Sequence, residues 1–293
     1  GASATIKLDG NYPTGTDNVA LGNQALDDGS LSGARNTAIG SASLSANTSG
    51  QNNVSIGYNS MLANTTGSEN ISVGVGTLDS NSTGSNNTAL GRSALQANTT
   101  SNNTAVGYQS LCSNTTGTRN TGIGNISLKD NTTGDFNVGV GYGSLSNNTT
   151  ACCNVGVGYN ALLENTTGAA NTAVGFASQI CNTTGLNNTS VGLDSLKANT
   201  TGTDNTGIGS NSLLTNTTGI NNTAIGQGAM YHNSTGDSNV AIGKSSLFKN
   251  TADNNTAVGK ESLKCNTTGT QNVAVGTNSL DTATTGNCNT LHL

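Results

Sequence analysis

Asn103-Thr104-Ala105-Val106-Gly107 is followed seventeen residues later by Asn120-Thr121-Gly122-Ile123-Gly124, and seventeen later again by Asn137-Val138-Gly139-Val140-Gly141. A repeat this short constrains the fold more than any other feature of the chain, because each copy must adopt one supersecondary unit and stack on its neighbours. Copies begin at Asn18, Asn36, Asn53, Asn70, Asn87, Asn103, Asn120, Asn137, Asn154, Asn171, Asn188, Asn205, Asn222, Asn239, Asn255, Asn272 and Asn289. The step is 17 residues except for one of 18 after Asn18 and two of 16, after Asn87 and Asn239. Both short steps lose the glycine of the Asn-Thr-Thr-Gly segment, leaving Thr100-Ser101 and Ala252-Asp253. Deletions confined to that place mark a turn, since a strand would lose its register there.

With the first Asn as position one, position four is aliphatic (Val106, Ile123, Val140 and Val157) and position five is glycine (Gly107, Gly124, Gly141 and Gly158). Position nine is mostly leucine, as in Leu111, Leu128, Leu145 and Leu162, with Met61, Met230 and Gln179 as exceptions. Position two alternates between Thr and Val or Ile, and position three holds only Ala, Gly or Ser. The period-two rule makes Thr-Ala-Val a short strand and predicts positions two and four on the inward face, with the leucines completing the core. Seventeen residues with so few aliphatics are too short for a helical hairpin, and glycine at positions five and fifteen opposes helices. The expectation is an all-β fold, a β-solenoid with about one turn per repeat.

Two asparagine columns fit a solenoid. Asn103, Asn120 and Asn137 at position one, and Asn114, Asn131 and Asn148 at position twelve, recur once per turn. An amide carries both donor and acceptor, so stacked copies about 4.7–4.8 Å apart can bond above and below. Residues 1–17 are off-pattern, with Ile6 and Leu8 in an expected capping strand; 18–288 form the array of about sixteen turns, and 289–293 read as a junction or chain end. In that last segment Leu291 stands in the small column and His292 in the aliphatic one, an apparent flip of the apolar face.

Only 9% of the 293 residues are charged and 3% aromatic, against about 25% charge in ordinary globular domains. The strict columns argue against disorder. A net charge of −5 without a basic patch makes nucleic acid an unexpected partner. No apolar run is long enough to span a membrane. The all-small third and eighth positions fit either a narrow interior or the close approach of another backbone, and the latter points to a homo-oligomer, a trimer or filament. Six cysteines, at 112, 152, 153, 181, 265 and 288, lack zinc spacing and, the adjacent Cys152-Cys153 apart, lie mostly several turns from one another, which disfavours intrachain bridges and leaves inter-subunit bonds or free thiols. With two histidines and no recurring carboxylate pair, no catalytic set, metal site or cofactor is expected, and the chain reads as a non-enzyme.

Three further patterns suggest surfaces. Tyr58, Tyr108, Tyr142, Tyr159 and Phe176 occupy position six, the last three in consecutive turns, where rings could contact glycans. Thr65, Thr115, Thr132 and Thr166 form a row at position thirteen of the kind that could order water at an ice surface. Asn64, Asn131, Asn165 and Asn216 open formal N-glycosylation motifs, although the same letters also serve a turn and a ladder.

The segment from Asn103 through Leu111 to Asn114-Thr115-Thr116-Gly117 resembles the repeats of tail-fibre-domain surface proteins of bacteria, phages and large viruses. The Asn-Thr-Ala-Val-Gly core is also similar to the head repeat of trimeric autotransporter adhesins, whose shorter repeat forms a left-handed β-roll. The resemblance implies an extracellular, cell-surface or virion-surface fibre or adhesin shaft, built as a homotrimer. In such families the array often precedes a self-cleaving chaperone domain that trimerises. Ice binding and carbohydrate binding remain the alternatives.

Overall fold

A computed structural model describes residues 15–292; the expected strand around Ile6 and Leu8 lies outside the described residues. The chain divides into two compact units, residues 1–150 and 151–293. In the first, strands β1–β8 are Val19–Leu21, Thr37–Ile39, Val54–Ile56, Ile71–Val73, Thr88–Leu90, Thr104–Val106, Thr121–Ile123 and Val138–Val140. In the second, β9–β17 are Val155–Val157, Thr172–Val174, Thr189–Val191, Thr206–Ile208, Thr223–Ile225, Val240–Ile242, Thr256–Val258, Val273–Val275 and Thr290–His292. Within each unit successive strands pair in parallel and in register, Thr104 opposite Thr121 and Val106 opposite Ile123, for example. Each unit is therefore a parallel β-solenoid with one three-residue strand per turn.

The strands are turned the other way round from the expectation. The middle residue points inward: Ala105, Ala173, Ala224 and Ala257 are fully buried. Val106, Val140 and Val157 are only half-buried and Ile123 is exposed, so these four are not core residues. The reason is the width of the interior. Behind the strand runs position eight, and its serines reach the strand backbone directly: Ser110 Oγ donates to Gly122 O at 2.9 Å and Ser127 Oγ to Gly139 O at 2.9 Å. A Cβ added at Gly207 would meet Ser195 Oγ at 2.8 Å and Ser212 Oγ at 3.1 Å. Only Ala, Ser or Gly fits such a gap, so the branched side chains go outside. The small third and eighth columns are thus an interior device, not a surface for another chain.

The leucine column does form the core. Leu111, Leu128, Leu145 and Leu162 are fully buried, as are Met61 and Met230. These leucines adopt a left-handed backbone, with φ of 51° at Leu111 and 54° at Leu145, and position seven is left-handed as well, with φ of 52° at Gln109 and 51° at Ile126. The two reversals redirect peptide groups between neighbours. Gln109 N–H donates back to Arg92 O at 3.0 Å, whereas Leu111 N–H donates forward to Ser127 O at 3.0 Å. Bulky residues are strained in this region, and the ladder of inter-turn bonds holds them there.

At the end of the second unit β17 stays in register, Leu291 opposite Ala274 and His292 opposite Val275. Leu291 thereby enters the inward column, half-buried, and His292 faces outward and exposed. The expected flip of the apolar face is corrected by the same inversion: the third column is the inner one throughout.

Candidate functional site

Two buried amide ladders run through each unit. At position one, Asn120 N–H donates to Asn103 Oδ1 at 3.0 Å and Asn137 N–H to Asn120 Oδ1 at 2.9 Å, while Asn103 Nδ2 reaches forward to Gly117 O at 2.9 Å. At position twelve, Asn131 Nδ2 donates to Asn114 Oδ1 at 2.7 Å and Asn148 Nδ2 to Asn131 Oδ1 at 2.8 Å. All six asparagines are essentially fully buried. Burying an amide is costly unless its groups are paired, and here most turns supply the partner for the next.

The 16-residue turns rewire the ladders, and the first of them leaves Asn81 Oδ1 without a partner. Asn98 Nδ2 donates to Thr100 O at 2.7 Å, two residues on, where a full-length turn bonds the glycine three residues on. Asn103 Nδ2 then crosses to Asn98 Oδ1 at 3.1 Å, tying the two ladders together. In the second unit Asn255 Nδ2 and Asn250 Oδ1 repeat the arrangement at 3.3 Å. Position twelve of the last turn is Ala283, and Asn266 Oδ1 is left without a partner.

Gly107, Gly124, Gly141 and Gly158 lie at φ of 133°, 137°, 126° and 138°, a conformation open to glycine and little else. A Cβ there would strike the carbonyl group of the glycine one turn on; at Gly91 the oxygen and carbon of Gly107 would be 2.6 and 2.8 Å away.

The outward strand face is a regular surface in each unit, and sequence reasoning missed it. Position two contributes Thr104, Thr121, Thr189 and their equivalents, and position four contributes Val106, Ile123, Val191, Ile208, Ile225 and Ile242, all half-buried or exposed. Neither column holds a charged residue from β1 to β16. The all-small third column was the available signal, since a position that never exceeds alanine or serine is the one facing a narrow interior.

The other predicted surfaces are less open. The Thr row at position thirteen is consumed by its own ladder: Thr65 Oγ1 donates to Ser82 O, Thr115 Oγ1 to Thr132 O and Thr132 Oγ1 to Thr149 O, each at 3.0 Å, and Thr166 Oγ1 to Thr183 O at 3.1 Å. Tyr159 and Phe176 are exposed, but their rings stack on each other at 5.0 Å and 8°, so the facing ring surfaces are occupied. Tyr142 is exposed in the first unit. A sugar ring packs on an aromatic face, and this stack takes up one face of each of the two rings.

Cys112, Cys152, Cys181, Cys265 and Cys288 carry free thiols. Burial pushes the Cys112 and Cys181 thiols above their ordinary range. Burial likewise raises the Asp79 carboxyl, whose Oδ1 is unpartnered. Among the described residues no three His, Cys, Asp or Glu side chains converge to hold a metal, and no helix is long and apolar enough to cross a membrane. No protein-family model and no curated protein matches this sequence.

Proposed function

We propose that this chain is a structural protein, the shaft of an extracellular fibre or adhesin on a cell or virion surface, assembled as a homotrimer through its strand faces. The observation that carries the reading is the uncharged outward strand face of each unit, β1–β8 in the first and β9–β16 in the second, with an aliphatic column beside a Thr, Val or Ile column. A row of half-exposed Val and Ile on a regular sheet is a surface that association covers. Within each unit its rungs are in register, so an identical partner meets it with the same periodicity. The glycine, leucine and asparagine columns serve rigidity, and the role is mechanical, not catalytic. The resemblance of the repeat to tail-fibre-domain proteins and trimeric adhesins supports the same reading.

The test is the mass of the native particle in solution, compared with the double variant Val140→Asp/Val191→Asp. The wild-type chain should run at three times its 29.1 kDa mass, and the variant should run as a folded monomer. A wild-type monomer would overturn the assembly.

One observation favours a second reading, ice binding. Thr172, Thr189, Thr206 and Thr223 form an unbroken outward column beside Val174, Val191, Ile208 and Ile225, a flat array of hydroxyls and methyls at regular spacing. Thermal hysteresis and ice shaping by the isolated monomer would support it; their absence removes it.

A further inference from the structure

Two sets among the asparagines that open an Asn-x-Ser/Thr motif differ sharply in their surroundings. Those at position twelve, Asn64, Asn131, Asn165 and Asn216, are fully buried. Both amide hydrogens are in use: Asn131 Nδ2 donates to Asn114 Oδ1 at 2.7 Å and Gly134 O at 3.0 Å, and Asn216 Nδ2 to Asn199 Oδ1 at 2.9 Å and Gly219 O at 3.1 Å. A substituent on that nitrogen would break the ladder and push the next turn away.

A second set overlaps the start of the strand. Asn86-Asn87-Thr88 and Asn102-Asn103-Thr104 lie in the first unit, and Asn187-Asn188-Thr189, Asn221-Asn222-Thr223 and Asn254-Asn255-Thr256 in the second. The first Asn of each triplet is exposed and left-handed, with φ between 57° and 67°. The amides of Asn86, Asn102, Asn221 and Asn254 make no hydrogen bond to the described residues, and Asn187 Nδ2 makes one exposed bond to Asp204 Oδ1 at 3.1 Å. The following Asn is the buried ladder residue, which pins the triplet, and the Thr presents its hydroxyl on the outward strand face. An N-linked acceptor needs an accessible amide followed two residues on by an accessible hydroxyl. Of the two sets, the second supplies both in the folded chain.

We propose that Asn86, Asn102, Asn187, Asn221 and Asn254 are acceptor sites for N-linked carbohydrate. In the transfer Nδ2 attacks the anomeric carbon of a lipid-diphosphate-linked oligosaccharide. The C–N bond forms as the C–O bond to diphosphate breaks, the lipid diphosphate leaves with the electron pair, and the amide proton passes to the transferase. Spacing sets occupancy. Asn187, Asn221 and Asn254 are 34 and 33 residues apart, two turns each, so their glycans stand about 9–10 Å apart on a ladder of 4.7–4.8 Å per turn. Asn86 and Asn102 are on adjacent turns, where one glycan excludes the other. The acceptor threonines share the strand face with the proposed assembly, so transfer belongs to the unassembled chain.

The experiment incubates unglycosylated folded protein with a single-subunit oligosaccharyltransferase and its lipid-diphosphate-linked oligosaccharide, followed by peptide mapping. It uses both the wild-type chain and the Val140→Asp/Val191→Asp variant, so that failure of assembly and failure of this proposal are separable. Proteolytic peptides spanning both classes serve as the comparison. The folded variant should be modified at Asn187, Asn221 and Asn254 and at either Asn86 or Asn102 in any one chain, and not at Asn64, Asn131, Asn165 or Asn216, whereas peptides of both classes are modified. Thr189→Val should abolish modification at Asn187 alone. The proposal is overturned if the folded variant stays unmodified at the exposed set while the peptides react, if buried and exposed sets react equally in the folded chain, or if the exposed-set peptides do not react.

Discussion

Replacing Gly91 by alanine tests whether the position-five glycines are required by the stack or merely tolerated by a turn. Gly91 has φ of 123°, and a Cβ there would lie 2.6 Å from Gly107 O and 2.8 Å from Gly107 C. The obstacle is backbone one turn away, which cannot swing aside as a side chain can. The conformation costs alanine about 1–3 kcal/mol, and forcing the turns apart costs about 1–3 kcal/mol more by analogy with overpacked cores. At roughly 2–4 °C per kcal/mol for a unit of this size, Gly91→Ala should lower the melting temperature by about 5–20 °C. The matched control is Gly76→Asn, at position seven of the preceding turn. Gly76 has φ of 62° with nothing within 4 Å of the added Cβ, and Asn59 occupies the same column one turn earlier at φ of 54°. Asn tolerates this left-handed region and restricts the unfolded chain, so Gly76→Asn should be neutral or stabilising by up to about 1 kcal/mol. Thermal melts followed by circular dichroism read both variants. The reasoning is refuted if Gly91→Ala melts with the wild type, or if Gly76→Asn loses as much as Gly91→Ala.

Gln179 is buried in the leucine column with Nε2 unpartnered and only Ser190 Oγ bonded to Oε1, at 3.2 Å. Gln179→Leu should stabilise by about 1–3 kcal/mol, read as a higher denaturant midpoint at unchanged slope; a lower midpoint would refute it, since Ser190 keeps its bond with Ser178 at 2.6 Å. Asn131→Ala leaves Asn114 Oδ1 and Asn148 Nδ2 short of a partner and should cost about 1–3 kcal/mol for each group orphaned, whereas the exposed Asn86→Ala should shift the melt little. Asp79, its carboxyl raised by burial, is protonated more readily in the fold than in the unfolded chain. Stability should therefore fall as pH rises from the ordinary carboxylate range through the raised value, and Asp79→Asn should remove that step; a variant whose stability still falls across that window to the same extent would exclude burial of Asp79 as the cause.

Much of the architecture was legible because the columns are strict. The 17-residue period, the glycine turns, the leucine core at Leu111 and Leu145 and the asparagine ladders all follow from residue types that have few other uses at that spacing. The facing of the strand did not follow, for a specific reason. Alternation identifies two faces and hydrophobicity normally chooses the inner one, and that rule selected Val106 and Val140 over Ala105. It fails when the interior is narrower than a valine. Ser110 Oγ reaches Gly122 O across that gap at 2.9 Å, and no property of the Thr-Ala-Val triplet encodes the distance. It is set by the left-handed turns at Gln109 and Leu111, which bring position eight back under the strand, and leucine is not a residue from which a left-handed turn is read.

That inversion changes what the large residues are for. In a globular domain the branched aliphatics hold the chain together and the small ones fill gaps. Here each turn buries one leucine, two asparagines and a pair of small residues, and its β-branched side chains stand on the outside. The inner residues are those that repetition serves best, because an amide ladder is fully paired only when the next turn carries the same amide, and a single break such as Ala283 leaves Asn266 Oδ1 orphaned. The outer residues pack on their copies in the neighbouring strands, Val106 opposite Ile123 for example, but remain half-exposed. Val, Ile and Thr in uncharged columns within each unit are the ground on which we propose a second copy of the chain, with the same spacing, as the partner of this surface.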